Sequence, residues 1–148
     1  MLNVPPPAWA FLYLIITGAV SWFYPWRALL DHRIVWLGVA LVAIGVAISA
    51  WAFWLFRNEG TEIDPTSETN KSLVVGGPFR FTRNPMYLGL VTSTLGIAFW
   101  AGSPPMFAVP VLVFATANGA HIPFEEAKMR RQFGEAFDRY TRQVRRWI

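Results

Sequence analysis

The feature that most constrains this chain is a run of twenty-three residues without a charge, from Ile34 to Phe56. A helix that crosses a membrane needs about 20 consecutive apolar residues, so this run predicts a transmembrane helix. Further apolar runs at about 8–26, 86–101 and 106–122 predict three more spans. The run at 86–101 is short for a full crossing, which fits a tilted helix or one that begins inside a protein-lined cavity.

Small side chains recur along the central run. Gly38, Gly45 and Ser49 leave space at which the backbone of a second helix can approach closely. We therefore expect an all-α integral membrane protein of about four transmembrane helices, in which residues 1–148 form a single domain. Because no basic region precedes the first apolar run, we expect that run to be a retained helix and not a cleaved signal peptide.

The composition agrees with a membrane protein and excludes several kinds of site. Of the 148 residues, 54% are hydrophobic, which is more apolar surface than a soluble domain of this size can bury. The chain has no cysteine, so disulfides, thiolate metal sites and thiol nucleophiles are excluded. Its two histidines, His32 and His121, are far apart in sequence, so we expect no metal site. The net charge of +4 comes from basic residues beside the apolar runs, which fits a membrane surface and not nucleic acid.

The last part of the chain is charged and amphipathic. Apolar side chains recur there at steps of three and four, at Met129, Phe133, Phe137, Tyr140 and Val144. This spacing predicts a C-terminal amphipathic helix over residues 124–144, which either lies on the membrane surface or packs back onto the bundle. Gly134 marks a bend in that helix.

Basic residues predict the orientation in the membrane. The loop after the second run holds four Lys or Arg residues and the tail holds seven, against two in the first loop. By the positive-inside rule, the loop with four basic residues and the tail lie on the cytoplasmic side, together with the N-terminus. We therefore expect a multi-pass membrane protein whose site faces the cytoplasm.

A polar stretch that carries glycine and proline, residues 76–89, separates the second and third runs. Asn84 suits a helix N-cap and Pro85 suits the first helical position, so a helix should begin here. The unpaired N–H groups of that helix start, together with the charge of Arg83, favour an anionic ligand such as a carboxylate or phosphate. The alternative is a well-capped helix with an arginine at the membrane interface.

A second polar cluster follows the fourth run, at His121, Glu125 and Glu126. His121 and Glu125 are four residues apart and share a face if the helix continues through Pro123. The alternative is that the two carboxylates complement the dipole of the tail helix and that His121 is an ordinary interfacial residue.

Together the two clusters would form a pocket with groups for an anion and groups for a cation or hydroxyls. An amino-acid-like ligand carries both charges, and S-adenosylmethionine fits this description. Nucleotides or lipid headgroups would satisfy part of it.

The run at 77–89, followed by Glu125-Glu126 and by residues 133–135, resembles the isoprenylcysteine carboxyl methyltransferase family, which is related to the phospholipid N-methyltransferases. The hallmark of that family is an Arg-His-Pro-x-Tyr-x-Gly segment followed, one helical hairpin later, by Glu-Glu. The resemblance covers roughly residue 60 to the C-terminus, and the first two spans match only as generic membrane helices. It implies an integral-membrane methyltransferase that depends on S-adenosyl-L-methionine and encloses it on the cytosolic side.

Carried over position by position, the resemblance assigns contacts with the cofactor to two segments and the acidic pair. These positions are Lys71, Ser72, Leu73, Val74, Phe79, Asn84, Pro85, Met86, Tyr87, Glu125 and Glu126. His121 falls where the carboxyl methyltransferases place an arginine for the substrate. The chain departs from the family at Asn84 and Lys71, which replace histidines, and at Phe79, which replaces a tyrosine. Histidine does not substitute for a carboxylate-binding arginine, so the departure at His121 argues against a prenylcysteine carboxylate.

The sequence therefore predicts methyl transfer from S-adenosylmethionine to a lipophilic acceptor, either isoprenylcysteine carboxylate-like or another small lipid, that arrives through the bilayer. His121 and Arg83 are the catalytic candidates; an amine acceptor would lose a proton to His121, whereas a carboxylate needs no base. The alternatives are a phospholipid N-methyltransferase and a non-enzymatic membrane accessory or lipid-binding protein that retains the fold. The methyl acceptor and the oligomeric state stay open.

Overall fold

A computed structural model describes residues 5–23, 34–59 and 72–148, and in these ranges all regular structure is helical. Six α-helices follow one another along these ranges. They are α1 (Pro6–Phe23), α2 (Val35–Asn58), α3 (Pro85–Ala101), α4 (Ala108–Thr116), α5 (Ile122–Phe133) and α6 (Glu135–Gln143). Short 3₁₀ turns at Gly77–Arg80 and Pro104–Phe107 precede α3 and α4, and a π turn at Ala117–His121 joins α4 to α5.

The helices confirm the predicted all-α membrane architecture. By length and composition, α1, α2 and the continuous helical stretch Pro104–Phe133 are each long and apolar enough to cross a membrane. At 17 residues α3 is shorter, in agreement with the short third run. α1 begins two residues earlier than the predicted 8–26 span, because proline is tolerated in the first turn of a helix.

α2 and α3 pack backbone against backbone. A Cβ atom added to Gly38 would lie 2.7 Å from the carbonyl oxygen of Gly96, and one added to Gly45 would lie 2.7 Å from the backbone nitrogen of Ser93 and would also clash with the carbonyl of Gly89. Real Cβ atoms essentially never approach other atoms that closely. The predicted close approach at Gly38 and Gly45 is therefore confirmed, and it requires glycine on both helices.

α1 packs against α4 and against the 3₁₀ turn that precedes α4. Ala10, Val109 and Val113 are buried at this contact. The hydroxyl groups of Tyr13 and Thr116 form a hydrogen bond of 2.8 Å across it.

The C-terminal helix packs back onto the bundle, which decides between the two predicted arrangements. Phe137 and Tyr140 of α6 are buried in a cluster with Val74 and Phe79. The Tyr140 hydroxyl donates to the backbone carbonyl of Phe79 at 2.7 Å, and burial raises the pKa of Tyr140 well above its ordinary value. The predicted helix over 124–144 is in fact two helices, because Gly134 adopts a φ of +49° between them and turns the chain.

Candidate functional site

The polar stretch before α3 begins the helix where the sequence predicts, but its cap differs. Asn84 occupies the N-cap position and Pro85 is the first helical residue. The Asn84 side chain makes no capping bond with the helix; its Nδ2 group donates to the backbone carbonyl of Arg146 at 2.9 Å. Asn84 therefore connects the start of α3 to the C-terminal end of the chain.

Residues 144–147, here called the C-terminal segment, lie along this stretch. The backbone N–H of Arg83 donates to the carbonyl of Arg145 at 3.0 Å. The Thr82 hydroxyl donates to the carbonyl of Arg146 at 3.1 Å, and the same hydroxyl accepts the backbone N–H of Asn84. The C-terminal segment is thus a structural part of the predicted site.

The Arg83 guanidinium lies between the tail and the acidic pair. Its Nη1 donates to the carbonyls of Thr141 and Val144, at 3.0 and 2.9 Å, and its Nη2 donates to Glu126 at 2.8 Å. Its Nε is buried and has no hydrogen-bond partner. The predicted meeting of Arg83 with the Glu125–Glu126 segment is therefore present, and the buried Nε–H of Arg83 has no partner.

Glu126 is held by two guanidinium groups. Arg146 binds both of its oxygens, with 2.6 Å from Nη2 to Oε2 and 3.2 Å from Nε to Oε1, while Arg83 also donates to Oε1. The Glu126 side chain is 15% exposed, so these ion pairs are mostly shielded from water. The hydrogen bond with Glu126 raises the pKa of the Arg146 guanidinium above its ordinary value, against the opposing effect of burial.

The helix does continue through Pro123, so His121 and Glu125 share a face. The π turn at Ala117–His121 immediately precedes this proline. Proline has no backbone N–H, so one hydrogen bond of the helix is missing here, and the widened turn accommodates that loss. Tyr87 meets both residues: its hydroxyl donates to Glu125 Oε1 at 2.6 Å, and its ring centre lies 6.3 Å from that of His121.

A small cavity opens beside Tyr87. Its volume is about 10 Å³, roughly what one water molecule needs. It is lined by the side chains of Trp9, Tyr87, Leu90, Val113, Thr116 and His121, among others. His121 is only 4% exposed, and its Nε2 atom has no hydrogen-bond partner; the same holds for Nε1 of Trp9. Two of the residues that line the cavity therefore carry a buried ring nitrogen without a hydrogen-bond partner.

The other predicted cofactor positions surround the turn before α3. Val74, Phe79 and Pro85 are buried, and Leu73 and Met86 pack against the same cluster. Ser72 is partly buried beside them, and Lys71 lies outside the described residues. Their contacts with a cofactor stay predictions.

The sequence did not single out several residues that the structure places here. They are Trp9, Thr82, Arg146 and Trp147. Asn118 lies near the end of the fourth apolar run, where a polar side chain is expected to face the protein interior. Its amide oxygen accepts hydrogen bonds from Arg146 at 3.3 Å and from Trp147 Nε1 at 3.1 Å. Within residues 5–23, 34–59 and 72–148, no group of three or more acidic or histidine side chains could hold a metal ion.

Residues 33–136 match the sequence profile of the phospholipid methyltransferase family. The chain belongs to this family. The match confirms the resemblance, since the two methyltransferase families are related.

Three curated proteins are similar to the chain. The nickel-cobalt-cadmium resistance protein NccN of Alcaligenes xylosoxydans is 28% identical over 134 residues, 90% of this chain and 56% of that protein. Phosphatidyl-N-methylethanolamine N-methyltransferase of Saccharomyces cerevisiae is 34% identical over 79 residues, 53% of this chain and 38% of that enzyme. An uncharacterized protein of Haemophilus influenzae is 30% identical over 63 residues, 43% of this chain and 100% of that protein. The chain thus spans about half or less of the length of the first two, and no solved structure matches it.

Proposed function

We propose that the chain is an S-adenosylmethionine-dependent methyltransferase of the membrane that acts on a lipid acceptor. The observation that carries this proposal is the meeting of two segments, the start of α3 and the start of α5, through the Tyr87–Glu125 and Arg83–Glu126 bonds. Membership of the phospholipid methyltransferase family supports the same activity.

The unpaired groups at this meeting point fit the two charged ends of the cofactor's amino-acid part. The buried Nε of Arg83 is a donor without a partner, and Arg83 directly precedes the N-cap residue of α3; a free donor and a helix N-terminus both favour a carboxylate. Tyr87 occupies one oxygen of Glu125, and the other oxygen of that carboxylate suits an ammonium. When bound, the cofactor supplies an electrophilic methyl group on its sulfonium.

The protein's own contribution is to align the acceptor, exclude water and accept a proton. The apolar cavity beside Tyr87 is where we place the reacting group of the acceptor. His121 lines this cavity, and its Nε2 atom has no hydrogen-bond partner. We assign to it the role of taking a proton from an amine.

An amine-bearing phospholipid is the acceptor that these residues fit best. The yeast relative is named as a phosphatidyl-N-methylethanolamine N-methyltransferase, so its printed substrate carries an amine. A carboxylate acceptor is less suitable, because the free donor of Arg83 is assigned to the cofactor, Arg146 binds Glu126, and position 121 is a histidine. The distribution of basic residues supports a site on the cytoplasmic face.

Binding of S-adenosylhomocysteine to the purified protein in detergent tests the cofactor site. Calorimetry should give a measurable affinity, and the ligand should raise the melting temperature of the native protein. Glu125→Gln should weaken binding about tenfold, because a charged hydrogen bond is lost. Glu135→Gln is the matched control, since the Glu135 side chain is 94% exposed. Equal affinities of the two variants would contradict the role of Glu125.

The acceptor is tested with methyl-labelled S-adenosylmethionine and vesicles of defined lipid. Vesicles that contain phosphatidylethanolamine or its monomethyl form should gain label in the headgroup, and vesicles of phosphatidylglycerol alone should not. His121→Ala should lose most of the transfer while it still binds the cofactor. Label in a carboxyl group of a total lipid extract, with none in the amine lipids, would overturn the amine assignment.

A second candidate is a membrane accessory protein without methyl transfer. It is favoured by the match to a metal-resistance protein over 90% of this chain and by Asn84 in place of the hallmark histidine. The two candidates differ in one measurement: an accessory protein would show no melting shift with millimolar S-adenosylhomocysteine.

A further inference from the structure

The two adjacent carboxylates of the site have different surroundings. Glu126 accepts three hydrogen bonds from the guanidinium groups of Arg83 and Arg146. Glu125 accepts one from the neutral hydroxyl of Tyr87, and Lys128 lies one turn further along the same helix. The geometry therefore indicates different roles for the two carboxylates.

From this difference we infer that Arg146 is a positioning residue of the cofactor site: it fixes Glu126 as a structural carboxylate and thereby directs Glu125 to the ligand. The inference rests on the proposed function and divides the predicted acidic pair into one structural and one binding member.

The side chain of Arg146 is suited to this task. Its guanidinium binds both oxygens of Glu126 and uses a third donor on the Asn118 amide oxygen at 3.3 Å. A planar fork that binds two oxygens fixes the orientation of a carboxylate, whereas the single ammonium group of a lysine does not.

The backbone of Arg146 fixes the position from which that side chain acts. Its carbonyl accepts hydrogen bonds from Thr82 and Asn84, at 3.1 and 2.9 Å. One residue therefore connects the stretch before α3, the π turn that carries Asn118 and α5 at Glu126. Without it, Glu126 would keep only Arg83, whose Nη1 is already bonded to two tail carbonyls.

Helix geometry transmits the effect to Glu125. Successive residues of an α-helix point about 100° apart, so the direction of one side chain determines that of the next. With Glu126 turned toward the two arginines, Glu125 faces Tyr87, which also contacts His121. Loss of Arg146 should let the first turn of α5 rotate and should weaken the binding of the ligand's ammonium by Glu125.

The test compares the affinity for S-adenosylhomocysteine of the wild-type protein and four variants in detergent. Arg146→Met should weaken binding about tenfold, and Arg146→Lys should recover only part of the loss. Arg142→Met removes an exposed arginine of the same tail and should bind as the wild type does. Adding Glu126→Gln to Arg146→Met should restore part of the affinity, because it removes from beside Glu125 a carboxylate that has lost two of its three hydrogen bonds.

The kinetic readout separates positioning from general damage to the fold. Arg146→Met should raise KM for S-adenosylmethionine and leave kcat within about threefold, because the chemical step is not touched. If Arg146→Met fails to fold, Arg146→Lys and Glu126→Gln provide the same comparison. Affinity equal to that of Arg142→Met in every folded variant of Arg146 would overturn the inference alone. A wild-type protein that binds no S-adenosylhomocysteine would overturn the proposed function and this inference together.

Discussion

The α2–α3 interface and the network around Glu126 are both tightly held, but by opposite means. At the interface, two helices approach so closely that the contact at Gly45 has no room for one more carbon atom. In the network, charged side chains bridge segments that are far apart in the chain, such as Arg83 and Arg146 to Glu126. The interface therefore depends on the absence of side chains, and the network depends on the presence of particular ones.

This difference decides which changes each region tolerates. Where glycine meets a neighbouring backbone, as Gly45 meets the carbonyl of Gly89, the backbone cannot be substituted in compensation, so an added carbon must push the helices apart. A network of charges tolerates the loss of both partners better than the loss of one, because the cost comes from the group that is left unpaired. Substitutions in the two regions can separate these cases.

The largest effect is expected at the interface. Gly45→Val should destabilise the protein by about 3 kcal/mol or more, since its Cβ would meet the backbone of Ser93 and Gly89. Gly18→Ala in α1 is the control: nothing lies within 4 Å of its added Cβ, so alanine should be neutral or stabilising by up to about 1 kcal/mol. Unfolding in mixed micelles measures both. A Gly45→Val protein as stable as Gly18→Ala would show that the helices do not pack this closely.

A smaller loss is expected where one charge of the network is removed. Glu126→Leu should destabilise the protein by about 2 kcal/mol, because it leaves the guanidinium groups of Arg83 and Arg146 without their shared carboxylate. Exposure of Arg146, whose side chain is 33% accessible, keeps the cost below that of a fully buried pair. Removing Arg146 as well should reduce the loss. Additive effects of the two substitutions, measured by the same unfolding, would show that they do not interact.

The interface could be predicted from the sequence because its determinants are local. An uncharged run of sufficient length and its small residues predict both a spanning helix and a site of close approach, without knowledge of which helix comes near. The same applies to the bend at Gly134 and to the helix start at Pro85, where residue type alone restricts the backbone.

The network could be predicted only in part, because its partners are chosen by the fold. The sequence predicted that Arg83 and the acidic pair lie close together, and Arg83 does bond to Glu126. The amphipathic pattern of the tail identifies its apolar stripe and does not distinguish Arg146 from the exposed Arg142. Thr82 and Asn84 bond to the backbone carbonyl of Arg146, and a residue of any type could supply that carbonyl, so the sequence does not reveal these bonds. Asn84 does occupy the predicted N-cap position, but its side chain makes no capping bond for the same reason, since the more distant carbonyl of Arg146 accepts from it.

A moderate effect should follow from removing one hydroxyl at the edge of the network. Tyr140→Phe should destabilise the protein by about 1 to 2 kcal/mol, because the buried carbonyl of Phe79 loses its donor. The aromatic packing in the cluster would stay, so near-ultraviolet circular dichroism should change little. Thermal unfolding measures the loss, and stability equal to that of the wild type would mean that water or another donor replaces the hydroxyl.

The smallest effect is expected for the corresponding change within the membrane. Tyr13→Phe removes a hydroxyl that bonds to Thr116 at 2.8 Å between α1 and α4. Hydrogen bonds between membrane helices contribute on average about 0.6 kcal/mol, because the unfolded chain in the membrane also finds partners for its polar groups. Tyr13→Phe should therefore cost less than half of what Tyr140→Phe costs in the same unfolding measurement. If the order were reversed, the Tyr13–Thr116 bond between α1 and α4 would stabilise this protein more than the buried Tyr140–Phe79 bond does, and the reduced value of hydrogen bonds between membrane helices would not apply here.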